Sequence, residues 1–350
     1  MRWTLTEDQE LFRDSFRGWL DRFAAEAVRG RFAAGAAAAF ERRFVEEGWF
    51  SVGSPEPLGG QGGGLLELAL AAEQLGRSAA PSSAWLASVL AVPVLPPEVA
   101  RACLSGGEFA VLAVNADKPV GSPGSVVADG AVLTGTVSLV LAADRAAKFV
   151  VPASGRLYLV DAADARLTRR ALLDRSRSVA DVVFEGVRGT ALPVDAVAEL
   201  DRLALRAAVL VAADSLGASE RMLELAVEYS KQRHQFGVPI GSFQAVKHAA
   251  ATMLVAVESA RSLVYYAAAS VEQEHEDFPL HAAAAKAQVC GSAAGTADSA
   301  LTLHGAIGYT WEHDLQLFYK RAKLDSRLFG SAAEWNERLA AALPLVPAVL

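Results

Sequence analysis

The chain has 350 residues, 52% of them hydrophobic, and a formal net charge of -7. Its length and apolar content exclude a wholly disordered chain and leave room for two or three packed domains. The acidic balance argues against a nucleic-acid partner, because neutralising phosphates needs a basic surface, and no long Lys/Arg run offsets it.

The opening residues, Met1 to Gln9, are charged almost at once and carry no apolar signal core. No stretch of about 18 or more uncharged apolar residues stands out as a membrane span. A cytoplasmic protein without membrane association is therefore expected. Thr6-Glu-Asp-Gln9 fits a capping box, in which hydroxyl and amide each satisfy an unpaired backbone donor at a helix start. Leu11, Phe12, Phe16, Leu20 and Phe23 follow at three- to four-residue spacing and predict an amphipathic helix with one buried face. A second helix leads to Phe44, Gly48 and Trp49. The glycine-rich run from Ser54 to Gly64 has no preceding strand and no closing Lys-Ser or Lys-Thr, so it reads as a flexible inter-helix loop and not as a phosphate loop. Cys103 and Cys290 read as buried free thiols, in keeping with a reducing compartment.

From Phe109 the hydrophobic period changes. Phe109 to Val114, Val126 to Ala128, Ala131 to Val140, Lys148 to Val151, Leu157 to Val160 and Val179 to Phe184 are short β-rich runs separated by Gly, Pro, Asp and Ser. With no helices between them, they predict an antiparallel barrel or sandwich and argue against a Rossmann-type parallel sheet.

After Pro193 the pattern is helical to the end. Leu203, Ala207, Leu210 and Val211 share a face. Val246, Ala250, Met253, Val257, Ala260 and Val264 recur at alternating four- and three-residue steps, a near-heptad seam suited to a helical bundle or to another subunit. Glu272 to Asp277 reads as a solvated inter-helix turn. The expectation is an α+β chain: an N-terminal helical domain over 1–106, a middle antiparallel β-barrel domain over 107–195 and a C-terminal four-helix bundle over 196–350.

The chemically densest stretch runs from Tyr229 to His248. Arg233 offers a planar fork for phosphate or carboxylate, Gln235 an amide, Phe236 a flat apolar face and Gly237 a turn. Pro239 and Gly241 break the backbone before Phe243 opens the next helix. Taken alone, the cluster reads equally well as a helix-to-helix turn with an exposed arginine. Its context decides. Arg233-His-Gln-Phe-Gly237, Pro239-Ile240, Phe243-Gln244 and then His304-Gly-Ala-Ile-Gly-Tyr-Thr310 with Glu312 occur in an order and at a spacing that resemble the acyl-CoA dehydrogenase family. The segment Trp49 to Gly76 resembles that family's N-terminal helical domain. The resemblance implies an FAD-dependent oxidoreductase acting on acyl-CoA, with electron-transfer flavoprotein as acceptor. It also implies that Arg233, Gln235, Phe236, Gly237, Phe243 and Gln244, together with Thr302, Gly305 and Gly308, reach the nucleotide tail of an FAD whose flavin lies in a neighbouring subunit.

The sequence also departs from the family. Such enzymes remove an α proton with a glutamate, and the resemblance places that glutamate at one of two positions, here Phe329 and Ala207. Neither side chain accepts a proton, so no catalytic residue is assigned. The stretches matching the flavin side, Leu112 to Lys118 and Ala131 to Thr136, keep only Asn115 and Thr134 as polar replacements. Thr302 stands where a glutamine is usual, and Ala306 where a second glycine is. The chain thus looks like the shorter, non-catalytic subunit of an actinobacterial heterotetrameric acyl-CoA dehydrogenase of the steroid side-chain type, two copies joining two of a longer catalytic partner. Two alternatives stay open: a redox-inactive acyl-CoA-binding or scaffold homologue, and a homomeric flavoenzyme with an atypical base such as Glu312 or Asp325. His234, His248 and His304 lack metal-ligand spacing, so no metal site is expected, and Glu312-His-Asp314 implies no triad.

Overall fold

A computed structural model describes residues 4–29, 35–106 and 108–343; Met1 to Trp3 of the opening stretch lie outside the described residues. Helix α1 (Glu7–Arg29) starts on the expected capping box, Thr6 N–H donating to Gln9 Oε1 at 3.0 Å and Gln9 N–H to Thr6 Oγ1 at 3.3 Å. Phe16, Trp19 and Leu20 are buried against Phe40 and Phe44 of α2 (Ala36–Glu46). Leu11, expected on that face, is 67% exposed. The stripe runs Phe12, Phe16, Trp19, Phe23, and a residue one position ahead of Phe12 is turned about 100° away from it.

The glycine-rich run is a tight turn held by backbone contact rather than a flexible loop. Ser54 and Gly62 form a bridge, and a Cβ on Gly60 would stand 2.1 Å from the Ser54 carbonyl oxygen. Helices α3 (Leu65–Arg77), α4 (Ser83–Ala91) and α5 (Pro97–Leu104) follow.

The strands are β1 (Ala110–Leu112), β2 (Val127–Asp129), β3 (Val132–Leu141), β4 (Lys148–Ala153), β5 (Arg156–Asp161), β6 (Arg166–Arg170), β7 (Val179–Arg188) and β8 (Thr190–Ala191). They form two open four-stranded sheets, β1-β4-β5-β8 and β2-β3-β7-β6, and not the expected closed barrel. One pair, β1 with β4, is parallel. The expected runs coincide with β1 to β5 and β7, whereas β6 and β8 had no expectation. Strand β6 is an edge strand reading Arg-Leu-Thr-Arg-Arg with all five residues exposed, so it carries no alternating pattern to detect. The β3–β7 ladder slips between Val137 and Val140, where Leu139 takes φ 56° and donates its N–H to Asp181 Oδ1 at 3.0 Å. This irregularity shapes the cavity described below.

The remainder is helical: α6 (Ala196–Gln232), a hairpin of β9 (His234–Gln235) and β10 (Val238–Pro239), then α7 (Gln244–Glu272), α8 (Phe278–His304), α9 (Leu315–Asp325) and α10 (Ala332–Ala342). Asp195 caps α6 by accepting the N–H groups of Val197 and Ala198. The α7 seam from Met253 to Val264 is buried within the chain, so it belongs to the bundle core. Helices α3 and α6 meet backbone to backbone: a Cβ on Gly217 would lie 1.8 Å from the Glu73 carbonyl oxygen, and one on Gly76 2.1 Å from that of Asp214.

A buried ionic cluster ties N-terminal helices, sheets and bundle together. Arg321 on α9 donates Nε and Nη2 to Asp214 at 2.7 and 2.6 Å, Nη1 to the Ala80 carbonyl and Ser176 Oγ, and Nη2 to Ser82 Oγ. Arg177 reaches both Asp214 and Asp325 at 3.0 Å, and Lys286 donates to the Asp325 carbonyl at 2.9 Å. Burial alone would raise the Asp214 carboxyl, but the Arg321 and Arg177 guanidiniums outweigh it and hold it at about 2. Asp325 goes the other way. Burial dominates and pushes it well above the usual carboxylate range, with Arg177 only partly opposing.

Candidate functional site

Where α6 ends, Arg233 leaves the helix with φ -78° and ψ 123°, its N–H still bonded to the Tyr229 carbonyl at 2.8 Å. Its own carbonyl accepts from Ile240 N–H at 2.8 Å, which closes the hairpin. Phe236 and Gly237 form the tip with φ of 53° and 81°. Positive φ at both central residues suits the tight turn that right-twisted strands favour, but it is strained for a bulky residue such as Phe236. Phe236 is 92% exposed, edge-on to Phe243 at 6.1 Å. A strained, exposed aromatic held out on a defined turn marks a contact surface.

Arg233, Gln235 and Gln244 are exposed beside it. Gln235 Nε2 donates to the His234 carbonyl at 2.8 Å, and Gln244 Nε2 lies 2.9 Å from His248 Nε2. The first turn of α7, which follows the hairpin, has no side-chain cap, so its backbone donors and its positive dipole end are open. Guanidinium, amides, uncapped helix start and flat apolar ring together match the tail of a dinucleotide: a pyrophosphate and an adenine.

The second motif lies at the same end of the bundle. Tyr229 stacks on His304 with ring centroids 4.7 Å apart, and His304 contacts His313 at 4.6 Å. Sequence reasoning singled out neither Tyr229 nor His313 as the link. His304 is buried, its Nδ1 donating to the Ala300 carbonyl at 2.7 Å, and burial lowers its pKa. Thr302 donates its hydroxyl to the Asp298 carbonyl at 2.8 Å. Gly305 ends α8 at φ 66° and is exposed. Gly308 is buried, and a Cβ there would stand 2.8 Å from Leu301 and 3.0 Å from Leu315, so packing accounts for this glycine.

The two positions at which a glutamate base was sought are both interior. Ala207 and Phe329 are buried. Phe329 takes φ 56°, donates its N–H to the Ala116 carbonyl at 2.6 Å and accepts from Trp335 Nε1 at 2.9 Å. Asp325, one of the two atypical bases considered, is fully buried and enclosed by the ionic cluster. Glu312 is exposed on the turn before α9.

Beside Phe329 a cavity of about 440 Å³ opens between the second sheet and α9. Its walls include Leu139, Leu141, Leu172, Val179, Leu324 and Leu328. The stretch Ala131 to Thr136, expected on the flavin side, does not reach this cavity; the residues of β3 that do are Leu139 and Leu141, past the bulge. Thr134 is exposed, and Asn115 Oδ1 accepts the Asp117 N–H at 2.8 Å. Among the described residues, no group of three or more His, Cys, Asp or Glu side chains could hold a metal ion, and no helix is long and apolar enough to cross a membrane.

Two family models match: acyl-CoA dehydrogenase N-terminal domain over residues 6–96 and C-terminal domain over 203–343. The chain is 33% identical to the acyl-CoA dehydrogenase IpdE2 of Mycobacterium tuberculosis, across 96% of this chain and 97% of that protein. It is 31% identical to the acyl-CoA dehydrogenase FadE34 of the same organism across 97% of this chain but 48% of FadE34, so it spans about half of that relative. Among solved structures, a chain of the ChsE4-ChsE5 complex from Mycobacterium tuberculosis superposes with a TM-score of 0.84 at 27% identity, covering 99% of this chain and 100% of that one. The Tcur3481-Tcur3483 steroid ACAD gives 0.85 at 25% identity, covering 97% and 98%. Butyryl-CoA dehydrogenase from Megasphaera elsdenii shares the fold, with a TM-score of 0.85 at 20% identity, covering 98% and 99%. With helices, paired sheets and helical bundle in that order, and relatives matching along nearly its whole length, the chain belongs to the acyl-CoA dehydrogenase family.

Proposed function

We propose that this chain is the non-catalytic subunit of a heteromeric FAD-dependent acyl-CoA dehydrogenase, completing the cofactor site of a longer partner that supplies the glutamate base. The observation that carries the reading is an asymmetry within one molecule. Both positions for a base hold buried, non-acidic side chains, Ala207 and Phe329, whereas Arg233, Gln235 and Phe236 stand exposed on a defined hairpin. Two structural neighbours support a heteromer: one is a complex of ChsE4 with ChsE5, the other pairs Tcur3481 with Tcur3483 and is described as a steroid ACAD.

FAD, when bound, accepts the hydride that leaves the β carbon as the α,β double bond forms. This chain's residues act on its tail. Arg233 pairs with pyrophosphate through its guanidinium fork, Gln235 and Gln244 offer amide hydrogen bonds, the start of α7 adds backbone donors, and Phe236 and Phe243 cover the adenine. Gly237 permits the turn, while Thr302 and Gly305, at the end of α8, and Gly308 belong to the second motif, which reaches the same tail from the same end of the bundle. The substrate is an acyl-CoA thioester, with a steroid side-chain acyl group the first to try, and the acceptor an electron-transfer flavoprotein. Co-expression with a longer homologue tests this: a yellow complex that converts acyl-CoA to 2-enoyl-CoA supports it, and a colourless, stable homotetramer contradicts it. The scaffold reading predicts that no complex containing this chain holds FAD.

A further inference from the structure

The cavity beside Phe329 touches one of the two stretches matched to the flavin side: it is bordered by Ala116 and Asp117, from the stretch after β1, and by Leu328, the neighbour of the vacant base position. Whether a flavin fits is a question of hydrogen bonds. An isoalloxazine presents two carbonyls, one N–H and two ring nitrogens along one side, and each needs a partner once removed from water.

The walls offer leucines and valine, with Asp174, Tyr319 and Lys320 at the edge; Tyr319 donates to Asp298 at 3.2 Å and Lys320 to Gln316, and the backbone donors around the vacant base position are already engaged. Phe329 N–H bonds the Ala116 carbonyl at 2.6 Å, Ala116 N–H the Leu139 carbonyl at 3.1 Å, and Gly330 N–H the Arg327 carbonyl at 3.0 Å. Leu139 N–H is taken by Asp181 and Asp117 N–H by Asn115. The cations at the mouth are held too: Arg327 grips Asp117 through two bonds of 2.9 Å, and Lys323 pairs with Asp298 at 2.8 Å. Nor can the Phe329 turn retreat, because a Cβ on Gly330 would already stand 2.7 Å from Pro119 and 2.9 Å from Trp335. A second cavity, about 250 Å³ and lined by Asn115, Ser122, Ser125 and Thr136, offers hydroxyls, but Ser122 donates to the Pro119 carbonyl and Ser125 to that of Thr136.

We infer that this chain's own cavity rejects the flavin ring, so that the assembly carries one FAD for each pair of unlike chains, gripped by this chain at the tail only. The inference rests on the heteromeric reading above.

The test is the ratio of flavin absorbance to protein in the purified co-expressed complex, repeated with Leu172→Trp, which fills the cavity from its half-buried mouth. One FAD per pair is expected, with flavin content and kcat/KM of the variant within about twofold of the parent. Two FAD per pair, or loss of flavin in the Leu172→Trp complex, overturns this inference and leaves the heteromeric reading standing. A complex with no FAD overturns both. If the variant does not assemble, the ratio in the unaltered complex decides by itself.

Discussion

The backbone N–H of Phe329 lies 2.6 Å from the carbonyl oxygen of Ala116. That bond joins the turn after α9 to the segment after β1 and seals the place where a catalytic glutamate was sought with an aromatic ring. The substitution Phe329→Glu therefore gives a buried acid without a positioned substrate. It is expected to lower stability by about 2 to 4 kcal/mol and to confer no acyl-CoA oxidation on the purified chain. Urea unfolding and a dye-reduction assay check the two halves; a gain of turnover at unchanged stability would show the site to be open.

Arg321 places its guanidinium on ligands from all three parts of the chain, so its partner Asp214 is a sensitive point. Asp214→Asn leaves Arg321 and Arg177 buried with less than their countercharge, at a loss of about 3 to 5 kcal/mol. Denaturant titration measures it, and a loss below about 1 kcal/mol would mean that the cluster is solvated in solution.

Asp325 and Asp214 titrate in opposite senses. Asp214, held at about 2, contributes stability that is present above its unfolded pKa of about 3.9 and is lost as pH falls through the folded value. Asp325, raised by burial, contributes stability that is present below about pH 4 and is lost as pH rises through its folded pKa. Asp325→Asn keeps the acceptor facing Arg177 without the charge. It is expected to match or exceed the parent at pH 8 and to flatten the decline between pH 5 and pH 8. Urea midpoints at those two pH values decide; a deficit that is larger at pH 8 than at pH 5 would show that the ionised carboxylate is the stabilising form.

Much of this architecture was legible in the residues, and the parts that were not have physical causes. Thr6 and Gln9 announced the first helix because capping is local chemistry. The β-rich runs between turn residues announced six strands, five of which bury residues in the core. Strand β6 has no buried face and left no trace, and two open sheets read the same as a barrel, since closure depends on pairings between distant strands. The ionisable residues Arg177, Lys286, Arg321 and Asp325 are buried, which composition cannot foresee because the partner of each is remote in sequence. Arg233 to Gly237 was singled out from residue chemistry and order, and the structure places these residues exposed on one hairpin. The stretch Ala131 to Thr136 stops short of the cavity beside Phe329, which the β3 residues past the bulge, Leu139 and Leu141, line instead.

The crossing of α3 and α6 depends on two glycines in direct backbone contact. Gly217→Ala would drive a methyl group to within 1.8 Å of the Glu73 carbonyl oxygen, forcing the helices apart. The expected loss is about 2 to 4 kcal/mol, seen as a lower thermal midpoint with normal helical circular dichroism. An unchanged midpoint would mean that the helices cross further apart than described.

The most direct test of the central claim is the flavin content of the co-expressed complex carrying Arg233→Ala in this chain alone. If Arg233 grips the pyrophosphate of a cofactor whose ring lies in the partner, truncation weakens FAD binding by about 2 to 5 kcal/mol, and the purified complex loses its 450 nm absorbance while this chain keeps its fold. Flavin retained at the parent level in an intact complex would contradict the account.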